Sequence, residues 1–310
     1  MKPYSGYLFT FLMTLLFPLI FLGIINRTKA VWAGRKGASL IQPFHDVIRL
    51  LKKGEVVSTT TSFIFAVAPS ISLAAVIMGS LVLPTGIYKP VLSFNGDFIF
   101  FAAMFALSKF MTVLNAMDTG SSFEGMGASR EVSYTALVEP SFYLVIASIA
   151  YLSGYTSLSG ILSTFHSQES WSIIIVVLTA TALFIMLIVE GCRIPVDDPN
   201  THLELTMIHE VMVLDNSGPD LAFITYTAGL KLYLVASMMA SLIIPPGIDP
   251  LLTNVLFAGV IGGVAILVGI VESIRPRLRM VHVPEFALLM FSIALIICAG
   301  SIINRVGGIQ

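Results

Sequence analysis

Along the chain, runs of about twenty mostly apolar residues alternate with short polar segments. The runs fall at roughly 7–25, 63–83, 97–116, 134–153, 171–190, 221–244, 254–272 and 285–304. Each approaches the ~20 residues that carry a helix across ~30 Å of hydrocarbon. The pattern predicts an all-α polytopic membrane protein with eight transmembrane helices, residues 1–310 forming one transmembrane domain. The first run reads as a helix rather than a signal peptide, because Lys2 alone is a weak n-region and no small-residue cleavage pattern precedes Arg27. Segment 39–53 has a different period. Leu40, Ile41, Phe44, Val47, Ile48 and Leu51 share one helical face, with Asp46, Arg49, Lys52 and Lys53 on the other, which predicts an amphipathic helix along the membrane surface. It serves there as a basic anchor or as a docking element.

Composition narrows the function. Charged residues make up 11% of the chain, against about 25% in soluble domains, and mean hydropathy is +0.91, which excludes a free soluble enzyme. A net charge of −1 without a basic cluster gives no nucleic-acid footprint. Two cysteines, Cys192 and Cys298, fall short of an iron–sulfur ligand set. No cofactor is expected on this chain, and any redox centre belongs to a partner.

The distribution of charge gives topology. The connections 26–62, 117–133, 191–220 and 273–284 hold 7, 1, 1 and 3 Lys or Arg, whereas the other connections and termini hold Lys2, Lys89 and Arg305. By the positive-inside bias the first set faces the cytoplasm and both termini lie outside. Most acids share those connections, including Glu124, Glu131, Asp197, Asp198, Glu204, Glu210 and Asp215. Acids contribute little to topology, so a cytoplasmic partner or cavity is the natural cause.

Candidate chemistry follows from the polar residues. In the stretch 190–220, Asp198 before Pro199 reads as a helix N-cap, predicting a short helix over about 199–213 with Leu205, Ile208 and Met212 as its apolar stripe. His202 and His209, seven apart, share another face beside Glu204 and Glu210. Metal binding lacks a third convergent ligand; protonatable groups lining a cavity, or a solvated docking loop, are the other readings. Glu139, about five residues into its span and just before Pro140, is costly in hydrocarbon unless protonated, paired or hydrated. Lys109 and Lys231 also fall inside spans, which points to a buried relay or ion pair, the alternatives being that Lys109 snorkels to the membrane surface and that Lys231 pairs with an acid for structure alone. The Gly- and Ser-rich run 118–131 has no phosphate-binding signature and reads as a tight re-entrant or helix-linking segment that brings Glu124, Arg130 and Glu131 near Glu139.

Three stretches carry a family resemblance: Gly34-Arg35-Lys36-Gly37 into Leu40-Ile41-Gln42-Pro43, Gly127-Ala128-Ser129-Arg130-Glu131 through Val138-Glu139-Pro140, and Arg193-Ile194-Pro195-Val196-Asp197 through Glu204-Leu205 to Ser217-Gly218. With Glu272-Ser273 and Arg277-Leu278-Arg279, the chain resembles subunit 1 of respiratory complex I and the membrane-anchor subunits of group 4 nickel–iron hydrogenases. The hydrogenase branch, of the formate hydrogenlyase subunit 4 and hydrogenase-4 component C type, is the nearer in wording. Asn200 and His202 stand where the quinone-reducing branch has acids, and Asp215-Asn216-Ser217-Gly218 where it has Glu-Tyr-Ser-Gly.

The resemblance implies a non-catalytic subunit of an oxidoreductase complex in a prokaryotic cytoplasmic membrane. Nickel–iron and iron–sulfur centres would lie in soluble hydrogenase large, small and iron–sulfur subunits on the cytoplasmic face, with antiporter-like subunits beside it in the bilayer. Arg193, Asp197 and Glu204 would carry over as cavity-loop residues and Glu139 as the first membrane-embedded proton carrier. Quinone-binding complex I subunit, stand-alone transporter and passive anchor are the competing readings. No repeat between the two halves favours the transporter.

Overall fold

A computed structural model describes residues 3–164, 170–197, 207–245 and 247–307. In chain order the helices are α1 (Pro3–Trp32), α2 (Gln42–Leu51), α3 (Phe63–Ser80), α4 (Asp97–Asp118), α5 (Ser122–Ser153), α6 (Leu158–Ser163), α7 (Ser170–Glu190), α8 (His209–Met212), α9 (Gly218–Ile243), α10 (Pro250–Ile274) and α11 (Val283–Gly307). Eight of these, α1, α3, α4, α5, α7, α9, α10 and α11, are long and apolar enough to cross a membrane, matching the eight predicted spans. No strand occurs among the described residues. The chain is a multi-pass α-helical membrane protein.

Helix α9 is the axis of the bundle. Every residue from 229 to 240 is buried, Lys231 included, because α1, α2, α3, α7 and α10 surround it. A helix apolar all round is what a bundle centre requires. Large side chains from four helices, Phe65, Phe101, Tyr233 and Phe257, fill the core. Surface helix α2 is shorter than predicted, with Pro43 in its first turn, where the missing N–H costs nothing. Phe44 and Val47 pack against the core while Ile41, Ile48 and Leu51 remain exposed, a surface suited to lying in the membrane interface.

Two expectations need correction. The Gly- and Ser-rich run is no linker: after a turn at Gly120, helix resumes at Ser122 and continues for 32 residues. Its small residues permit close packing rather than a loop. A Cβ on Gly127 would stand 2.4 Å from Val211 Cγ1 and 2.8 Å from the Ile208 carbonyl oxygen, so α8 is seated directly on the α5 backbone. Gly127→Ala is expected to cost about 1–3 kcal/mol, read as a lowered unfolding midpoint in detergent; an unchanged midpoint would mean that α8 moves aside freely.

The second correction follows from the first. Because α5 starts at Ser122, Glu139 lies 17 residues along it, about 25 Å from the start at 1.5 Å per residue. Glu139 therefore sits near the middle of the helix. Pro140 beside it has no N–H, so the Ala136 carbonyl loses its helical partner there. Within the predicted helix at 199–213, helix is present at His209–Met212; Ile208 and Met212 are buried as the stripe requires, and residues 198–206 lie outside the described residues.

Candidate functional site

Four transmembrane helices bring charge into one buried cluster. Lys109 on α4 places its Nζ 2.6 Å from Glu190 Oε1 at the end of α7 and 3.1 Å from Glu131 Oε1 on α5. Lys231 on α9 reaches Glu190 Oε2 at 4.0 Å and stands 6.0 Å from the Phe105 ring centroid. Both lysines are under 8% exposed, so Lys109 does not extend to the membrane surface. Glu139 is half-buried and interacts electrostatically with Lys109, Glu190, Lys231 and Glu131. Fully ionised, the five groups would comprise two ammoniums and three carboxylates. One acid is in excess.

A small cavity opens among these groups, about 30 Å³ at water centres, lined by Lys109, Glu131, Glu190, Cys192, His209 and Lys231, with hydroxyls from Ser72, Thr112 and Thr227. At about 10–15 Å³ per water centre it has room for about two waters. Cys192 Sγ lies 3.9 Å from Glu131 Oε2. Burial, joined by the carboxylates of Glu131 and Asp197, pushes the Cys192 thiol well up, so it stays protonated and donates to Glu131. From α8, His209 and Met212 both line the cavity.

A second set of contacts pins the loop after α7. Asp197 Oδ1 pairs with Arg277 at 2.7 Å, while Oδ2 accepts the backbone N–H groups of Ile208 and His209, each at 3.0 Å. Arg193 lies 3.5 Å from Glu272, whose other oxygen is 2.7 Å from Lys29, joining α1, α10 and the loop through one buried carboxylate. Arg130 donates to the Met207 carbonyl at 2.8 Å. Glu124, 1% exposed, accepts the Asp215 N–H at 3.3 Å. Asn216 donates to Asn115 Oδ1 at 2.8 Å, and Asn115 donates to the Phe65 carbonyl, tying the end of the loop to α4 and α3.

The expected residues thus divide. Lys109, Lys231, Glu131 and His209 gather at the cavity, Glu139 lies eight residues beyond Glu131 on α5 and outside the cavity lining, and Arg130, Arg193, Asp197 and Glu124 secure the loop. Glu210 is half-buried and Asp215 exposed, and neither lines the cavity. Asp198, His202 and Glu204 lie outside the described residues. The sequence reading missed Glu190, which bridges both lysines; its signal was an acid closing an apolar span just before Gly191. It also missed the pairing of Glu272 with Lys29. Among the described residues no three His, Cys, Asp or Glu converge as metal ligands.

A family model described as NADH dehydrogenase matches residues 6–301. Hydrogenase-4 component C of Escherichia coli K12 is 31% identical over 250 residues, spanning 78% of this chain and 78% of the relative. Formate hydrogenlyase subunit 4 of the same organism is 29% identical over 280 residues, 88% and 90% of the two chains. A subunit of the NADH-quinone oxidoreductase of Anaplasma phagocytophilum is 26% identical over 231 residues, 70% and 67%. In structure, a chain of the membrane-bound sulfane sulfur reductase, an archaeal respiratory membrane complex, superposes with a TM-score of 0.83 at 20% identity, covering 97% of this chain and 100% of that one; the likeness is one of fold.

Proposed function

The chain belongs to the NADH dehydrogenase subunit 1 family, and from that premise we propose that it is the membrane-anchor and proton-path subunit of a membrane-bound hydrogenase complex. The observation that carries the reading is the buried charge set: two ammoniums and two carboxylates line a cavity with room for water, and a third carboxylate, Glu139, stands farther along α5 within their electrostatic reach. Such a set is neutral when it holds one proton. An exchangeable proton in mid-membrane, with hydrated access from the loop side through His209, is what a relay needs and a passive anchor does not.

The branch is argued from two relatives named as hydrogenase-4 component C and formate hydrogenlyase subunit 4. In this reading soluble nickel–iron and iron–sulfur subunits dock over α2 and the loop after α7, antiporter-like subunits adjoin in the bilayer, and the positively charged connections face the cytoplasm. In this reading the redox centres lie in those soluble partners. The work of this chain is electrostatic: a shift of the pinned loop, through Cys192 and His209, changes the field at Glu131 and Glu190 and so biases the proton on the cluster.

Glu139→Gln tests the relay, since it keeps size and removes titration. The complex should assemble and keep soluble redox activity, while proton uptake into sealed vesicles falls about 100-fold; uptake equal to wild type would reduce Glu139 to a structural residue. Purification through a tag on this chain tests the branch. Nickel and iron–sulfur subunits without quinone support the hydrogenase reading, and stoichiometric quinone without nickel would move the chain to the quinone-reducing branch.

A further inference from the structure

A second cavity stands at the end of the bundle away from the loop after α7, where the connections α3–α4, α5–α6 and α9–α10 meet. It measures about 910 Å³, at the upper end of the ~300–1,000 Å³ of small-molecule sites. Its lining changes character with depth. The most buried members are apolar, Phe257 at 0% and Leu162 at 1% exposed, whereas Lys89, Ser93 and Tyr155 are exposed at the mouth. Ser241 also lines it, and its Oγ is buried with no hydrogen-bond partner. Buried hydroxyls are normally paired, so the cavity holds a polar demand that the chain itself does not meet.

Lys89 carries the one charge among the described residues of the lining, and its turn is fixed. Thr85 and Tyr88 exchange backbone hydrogen bonds at 3.2 and 3.1 Å, Leu92 N–H donates to the Leu81 carbonyl at 2.9 Å, and the Tyr88 ring packs on Phe9 of α1 with centroids 5.2 Å apart. Gly86, at φ +60°, lets the turn close on α10, where a Cβ would stand 2.5 Å from Asn254 Oδ1. The acids at this end are engaged by backbone, Asp97 accepting the Leu158 N–H and Asp249 the Leu252 N–H. Among the described residues Lys89 has no ion-pair partner. Nor does it serve orientation, because the cations of the chain collect at the other end.

We propose that this cavity binds an anionic phospholipid, its phosphate on Lys89 and the mouth hydroxyls, its glycerol esters accepting from Ser241, and an acyl chain against Leu162, Ile244 and Phe257. The gradient of the lining carries the choice. Inorganic phosphate would use the mouth and leave the apolar wall uncovered, and a wholly apolar molecule would leave Lys89 and Ser241 unmet. Tyr155 at the mouth suits the headgroup level, where tyrosines of membrane proteins collect. Ser241 lies ten residues beyond Lys231 on α9, about 15 Å along the axis, so the site is separate from the charged cluster. A bound lipid ties the three connections together at the end of α9.

The test uses the whole complex, purified through this chain and delipidated in detergent, with phosphatidylglycerol bearing a photoactivatable group on its acyl chain as probe. Labelled peptides should map to 84–93, 155–163 and 247–257, and unlabelled phosphatidylglycerol should compete better than phosphatidylcholine of the same chains. Lys89→Gln, at an exposed position, should weaken phosphatidylglycerol about fivefold, the share of one lysine at a membrane surface, and leave phosphatidylcholine unchanged. Val91→Trp, exposed and in the lining, should obstruct the cavity and lower labelling with either competitor. Labelling confined to other peptides, equal competition by the two lipids, competition by inorganic phosphate as strong as by phosphatidylglycerol, or labelling unchanged in both variants would overturn the proposal. So would a cross-linker at position 91 that captures a partner subunit in place of lipid.

Discussion

Replacing Lys109 by methionine is expected to lower the stability of the chain by about 3–5 kcal/mol, the usual cost of removing one partner from a buried ion pair. The residue holds two carboxylates at once, Glu190 at 2.6 Å and Glu131 at 3.1 Å. Without it Glu190 retains only the 4.0 Å contact to Lys231, and Glu131 retains the Cys192 thiol. Methionine matches the length of the stem, so packing between α4, α5 and α7 survives and the loss reports charge. Unfolding midpoints in detergent measure it. Combining Lys109→Met with Glu190→Gln should recover part of the loss, because residues in one ion-pair network are not additive. Stability within about 1 kcal/mol of wild type would mean that the carboxylates already hold protons of their own and do not depend on the lysine.

Asp197→Ala is the second large effect. Its carboxylate closes three contacts, to Arg277 on one oxygen and to the N–H groups of Ile208 and His209 on the other. Alanine leaves a part-buried guanidinium and two backbone donors without that partner, about 3 kcal/mol, concentrated in the loop rather than spread over the bundle. Hydrogen exchange should rise sharply at 207–212 while α9 remains protected. Asp197→Asn keeps an acceptor oxygen for the backbone groups, so it should restore part of the protection. Equal exchange in both variants and wild type would show that the Gly127 contact and the Arg130 bond to the Met207 carbonyl hold α8 without Asp197.

The spans were legible because hydrocarbon imposes a length: twenty apolar residues have few other readings, and all eight runs appear as helices. The amphipathic segment was legible for the same reason, since its apolar positions repeat at the helical period. Gly125 and Gly127 misled. Glycine marks a loop in isolation, yet Gly125 lies within a continuous helix with nothing near it, and Gly127 marks where a second backbone rests on that helix, which only the contact with Ile208 and Val211 reveals. Lys109, Lys231 and Glu139 stood out as charges inside apolar runs. Glu190 did not, because a charge at the end of a run is ordinary; its bridging position depends on where α4 and α9 bring their lysines, which no local pattern encodes.

The excess acid of the central cluster has a consequence in time as well as charge. An uncompensated anion at that depth is a state of high energy and short duration, so under the proposed role the cluster, once emptied, is refilled before it does anything else. Departure of a proton toward a lateral neighbour and arrival of the next through the cavity then follow in near succession, and the slower of the two sets the pace for both. A block on the loop side should accordingly halt outward flow within one turnover instead of draining a reserve, since the five side chains store a single exchangeable proton between them.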